Sequence, residues 1–89
     1  MLGNIIGIND NEIMLKLTVD VSKMSNLIST HVIMEDSERQ CIGEITDIRD
    51  GIAYINLLGE IIDGSFVFGV INKPSFGSIV KLVSKEKVP

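Results

Sequence analysis

His31 and Cys41 are the side chains of this 89-residue sequence best suited to nucleophilic chemistry, an imidazole base and a thiol. Each is the single residue of its kind, so the usual Cys and His ligands of zinc or an iron–sulfur cluster cannot be gathered within one chain. Cys41 stands between Gln40 and Ile42, a setting in which a lone cysteine acts as a small buried apolar residue. Glu44, Asp47, Asp50 and Glu60 put four carboxylates on one predicted hairpin, Cys41 to Glu60. Paired carboxylates do acid–base or metal work only where their surroundings separate their pKa values. Asp47 and Asp50 instead flank a turn and are expected to be solvated. Glu35-Asp36-Ser37-Glu38 lacks the length and ligand alternation of a calcium loop and reads as a solvated hairpin tip.

No stretch fits the glycine-rich loops that cradle phosphates, since Gly59 to Gly64 has neither the lysine nor a following helix. The expectation is therefore a chain that is not itself an enzyme, with no catalytic, cofactor-binding or metal-binding residues. Phe66, Phe68, Phe76 and Tyr54 could form a stacking platform, which makes a single-stranded nucleic-acid-binding module the alternative reading. No basic residues interleave with them, so core packing is the stronger account of these aromatics.

The elements that would position these residues read as short strands. Asp50-Gly51 is a two-residue hairpin signal, because the turn needs a positive φ that Gly accepts. Gly3 to Ile8 is an apolar strand ended by Asn9-Asp10-Asn11, and Ile13 to Val21 alternates apolar and polar residues with the period of a half-covered strand. Ser22 to Ser29 is a connection. His31 to Met34 is a short strand that turns through Glu35 to Arg39 into Gln40 to Ile45. Ile52 to Leu58 returns, Phe66 to Ile71 follows, Pro74 to Gly77 is a turn and Ile79 to Val83 closes the chain. Gly43, Gly59 and Gly69 interrupt apolar stretches, where glycine marks a bulge, a bend or a close backbone approach. With Asp50, Gly51, Pro74 and Gly77 they are the candidate turn and bend residues. The fold expected is all-β: a small closed or partly open barrel, antiparallel or mixed, of six to seven short strands.

Composition agrees with strands. Hydrophobic residues make up 45% of the sequence and the β-branched Ile and Val number 23. A chain of this length buries only about 60% of its unfolded surface. That much apolar material implies some facing a partner. The net charge of −4 argues against a freestanding nucleic-acid binder. Residues 1–72 hold 4 basic and 11 acidic side chains, whereas 73–89 hold 4 basic and 1 acidic, a basic end able to run on towards a neighbour. One cysteine, no signal peptide and no long apolar run give a cytoplasmic setting as the expectation.

Several of these features fall in a familiar order. An N-terminal Gly-x-Ile-Ile-Gly strand is followed by Ile42-Gly43-Glu44-Ile45, the Asp-Gly turn, Leu57-Leu58-Gly59-Glu60, Phe68-Gly69-Val70 and Pro74-x-x-Gly77-x-x-Val80. The series, from Leu2 to Val83, resembles the N-terminal barrel of HerA-type hexameric ATPases, the HerA and ATP synthase barrel. The resemblance implies a barrel over 1–84 and a basic linker over 85–89 leading to a RecA-like ATPase core that this sequence does not contain. It further implies a non-catalytic assembly and docking role in a hexameric DNA translocase or helicase, in DNA processing or anti-phage defence. ATP and Mg would belong to the ATPase core, an effector such as a nuclease could be the docked partner, and DNA would be met through the parent protein.

Overall fold

The computed structural model describes residues 2–20, 27–69 and 73–83. Seven strands make up the regular structure: β1 (Gly3–Asn9), β2 (Glu12–Leu17), β3 (His31–Glu35), β4 (Gln40–Arg49), β5 (Ile52–Ile62), β6 (Ser65–Phe68) and β7 (Ile79–Leu82). No helix occurs among the described residues. All pairings are antiparallel, in the order β1-β2-β5-β4-β3-β7, with β6 on β5 beyond the end of β2. The Leu2 N–H donates to the Val80 carbonyl at 2.8 Å, so the two ends of the path meet and the sheet curls into a small, partly open barrel.

Alternation along each strand explains the core. Ile13 and Leu15 of β2, Val32 and Met34 of β3, and Ala53 and Ile55 of β5 are fully buried, while the residues between them are half-buried or exposed. Each of these Ile, Leu, Val and Met side chains contributes about 1.5–3 kcal/mol of burial, and the single methyl of Ala53 less. Cys41 lies in the same cluster, opposite Met34. β6 adds nothing to it.

The Asp50-Gly51 turn closes the β4–β5 hairpin, with φ of 52° and 75° and Arg49 facing Ile52. Gly43 sits where the β4–β5 register slips; a Cβ there would run into a methyl of Ile55 and lie 2.9 Å from the Asn56 carbonyl.

Strand bounds differ from those read from the sequence: β1 and β3 each end one residue later, at Asn9 and Glu35, and β4 does not stop at Ile45 but runs to Arg49. The alternation of Ile13 to Val21 gives a strand only to Leu17; Val19 is half-buried outside it and Val21 lies outside the described residues. β5 does not stop at Leu58 but runs to Ile62, turning through a second Asp-Gly pair, Asp63-Gly64, with φ of 51° and 78°. β6 ends at Phe68, and Gly69, with φ of 87°, follows the strand instead of interrupting it. Its expected continuation, Val70-Ile71, and the basic linker at 85–89 lie outside the described residues. β7 ends at Leu82, one residue short of Val83.

Candidate functional site

The long β5 creates the feature most relevant to function. Its first half, Ile52 to Asn56, pairs with β2 inside the barrel, whereas Gly59 to Ile62 pairs with β6 on the same side. Beyond the end of β2, β5 therefore has β4 on one side and β6 on the other, and β5 and β6 form a hairpin at the edge of the sheet. Gly59 permits its close packing, because a Cβ there would meet the Val67 carbonyl and, at 2.9 Å, the Phe66 ring. Phe66 and Phe68 stack edge to face with centroids 4.8 Å apart. Phe68 is nevertheless 76% exposed, and Val67 and Ile62 are also exposed.

Beside this hairpin lies an open cleft of about 420 Å³, lined by Glu38 and Arg39 from the β3–β4 turn and by Glu60, Ile61, Ile62 and Asp63 from the end of β5 and its turn. Three carboxylates there face one guanidinium. Glu60 is only 5% exposed and stands opposite Cys41 in the β4–β5 register. Burial, together with the Glu60 charge, pushes the Cys41 thiol up to about 11.

The β3–β4 turn is more than a solvated tip. Asp36 Oδ1 accepts from the backbone N–H groups of Glu38 at 2.8 Å and Arg39 at 2.9 Å, and Oδ2 accepts from Ser75 Oγ at 3.1 Å. The Glu38 N–H foremost, with the Arg39 N–H, Ser75 and the Arg39 charge, holds the Asp36 carboxyl below its usual value. Arg39 Nη1 donates to the Lys73 carbonyl at 2.9 Å, so the turn also fastens the segment leading to β7. In that segment Pro74 is buried, and a turn through Phe76 and Gly77 is closed by Ser78 N–H donating to the Ser75 carbonyl at 3.1 Å. Glu35 receives the Gln40 amide at 2.9 Å and Lys81 at 3.2 Å; the Gln40 bond, then Lys81, lowers its pKa.

The remaining sequence candidates are scattered. His31 faces Glu44, three residues along β3 from the partner of Cys41, about 10 Å at strand rise. His31 Nδ1 is buried without a hydrogen-bond partner in the described structure. Asp47 pairs with Arg49 at 2.8 Å, and the Arg49 guanidinium lies 4.4 Å above the Tyr54 ring. Tyr54 and Phe66 sit towards opposite ends of β5, opposite Asp47 and Ile61 respectively, roughly 20 Å apart along the strand. They do not share one stacking platform. Among the described residues no group of three or more His, Cys, Asp and Glu is arranged to hold a metal ion, and no helix is long and apolar enough to cross a membrane.

The cleft and the β5–β6 hairpin were not recognised in the sequence. The available signal was the second Asp-Gly pair, Asp63-Gly64, which marks a hairpin as Asp50-Gly51 does. Scanned against known protein families and against curated proteins, the sequence matches none.

Proposed function

We propose that this chain is a non-catalytic assembly and partner-docking barrel, of the kind found at the N-terminus of HerA-like hexameric ATPases. The observation that carries the reading is the distribution of apolar side chains. Phe68, Val67 and Ile62 remain exposed around β6, as do Phe76, Ile79 and Leu82 along and just before β7, although the barrel already has a closed core. Large apolar side chains left out of a complete core mark interaction surfaces.

In this reading the parent protein is a ring, a hexamer in the resembled family, whose ATPase core supplies ATP, Mg and DNA handling. An effector such as a nuclease docks on the barrel. The setting is cytoplasmic, in keeping with a single free cysteine. Light scattering after size exclusion, on the full gene product and on a form lacking the barrel, tests the proposal. Loss of the ring or of the bound effector on deletion supports it; an unchanged ring that retains its effector refutes it.

A further inference from the structure

The open edge of β6 extends this reading. Ser65 pairs with Ile62 and Val67 with Glu60, and the Gly69 N–H continues the ladder to the Leu58 carbonyl at 3.0 Å. Antiparallel alternation then turns the N–H and C=O groups of Phe66 and Phe68 away from β5. Among the described residues, no strand pairs with that side of β6. Edge strands are normally blunted by lysine, proline or a bulge. Ser65-Phe66-Val67-Phe68 has none of these, and its register with β5 is unbroken. The edge is also held in place in advance, by the two-residue Asp63-Gly64 turn and by Phe66 lying against Gly59.

The two faces of the hairpin differ in what they accept. Phe66 and Phe68 are on one face. Val67, Ile62 and Glu60 are on the other, next to the cleft with Glu38 and Asp63. The Arg39 guanidinium in that cleft is already engaged by Glu38 at 3.3 Å, Asp36 at 3.8 Å and the Lys73 carbonyl. Among the described residues, no lysine or arginine lies within ion-pair distance of Asp63.

We propose that the β6 edge takes an extended segment of a partner protein as an added strand, with apolar residues at alternate positions and Lys or Arg between them. The apolar residues continue the Phe66–Phe68 face, and the cation nearest the turn reaches Asp63, which is exposed at the β6 end of the hairpin. A second copy of the chain is a poorer occupant. Its β6 brings no cation, and its own Asp63 adds a like charge. The inference rests on the docking reading of the barrel.

The test uses the 89-residue chain and two fluorescein-labelled heptapeptides, one alternating Val with Lys and the other Val with Glu. Anisotropy should show the Lys peptide binding at least about fivefold more tightly than the Glu peptide. Bound Lys peptide should slow amide exchange at Phe66 and Phe68. Asp63→Asn, which keeps a residue tolerant of the left-handed turn, should narrow the difference between the peptides. Phe68→Ala should weaken binding and Phe68→Pro, which also removes the outward N–H, should abolish it; protected Val67 and Ser65 amides in the free variants show that the hairpin is intact. Equal affinities, no binding at about 1 mM peptide, or protection confined to other strands overturns the inference. So does protection of Phe66 and Phe68 that rises with protein concentration alone, which identifies a second copy. If the peptides fail while deletion of the barrel still dissolves the ring or releases the effector, the edge inference falls and the docking reading stands.

Discussion

Replacing Gly43 with alanine probes the packing that closes the barrel. The new Cβ would overlap a methyl of Ile55, approach the Asn56 carbonyl to 2.9 Å and lie 3.2 Å from Met34 Cε. The Met34 terminus can swing aside, because an unbranched thioether adapts at little cost. Ile55 is fully buried and the Asn56 carbonyl belongs to the paired backbone of β5, so neither can give way without moving the strand. Overpacking of this kind costs about 1–3 kcal/mol. For a domain of this size each kcal/mol lowers Tm by roughly 4–8 °C, so Gly43→Ala should melt at least about 4 °C lower. The control is Gly77→Ala, where nothing lies within 4 Å of the added atom and little change is expected. Thermal unfolding followed by far-ultraviolet circular dichroism makes the comparison. Equal midpoints for Gly43→Ala and the wild type would refute the close-approach argument.

Gly59→Ala should act differently: it meets the Val67 carbonyl and the Phe66 ring outside the core, so hydrogen exchange should show β6 detached from β5 while the midpoint of the barrel changes less than in Gly43→Ala. Asp36→Ala should expose the Glu38 and Arg39 amides to exchange and loosen the segment at Ser75, with Asp36→Asn retaining part of the protection; unchanged exchange at both amides would contradict the capping role. The lowered pKa values of Asp36 and Glu35 add stability that is present above their ordinary values of 3.8 and 4.5 and is lost as pH falls through the folded-state values, so urea midpoints should drop on acidification and Asp36→Asn should flatten that drop. Cys41 titrates in the opposite sense: its thiol rises from 9.0 to about 11, so its own contribution to stability is constant below about pH 8 and declines by about 2–3 kcal/mol towards pH 11, a contribution absent in Cys41→Ala.

Period-2 alternation and turn chemistry made most of the fold legible in the sequence. Ile13, Leu15 and Leu17 announce β2, and Asp50-Gly51 fixes the central hairpin, because each signal is local. Strand ends were less legible. Leu58-Gly59 looks like a stop, yet β5 continues because Phe66, seven residues further on, covers the bare backbone at Gly59. That contact exists only once the Asp63-Gly64 turn has formed.

Carboxylates were hardest to judge. Glu60 is buried because its face of β5 turns towards Cys41, and Asp36 is fully engaged because a loop from residues 73–78 returns to it. The burial of Glu60 and the Ser75 bond to Asp36 are not encoded by neighbouring residues, whereas the Asp36 bonds to the Glu38 and Arg39 amides are local. Sheet order, including the pairing of β2 with β5 and of β3 with β7, likewise depends on long-range register.

The central claim is that the apolar side chains outside the core hold an assembly together. Its most direct test is the mass of the full gene product, by light scattering, with Phe68, Phe76 and Ile79 all changed to serine. These side chains are exposed at 76%, 59% and 44%, so the barrel should keep its circular dichroism spectrum. The expected outcome is a folded protein whose mass falls to that of smaller species or that no longer retains its effector. A folded variant with the wild-type mass and the wild-type partner would contradict it.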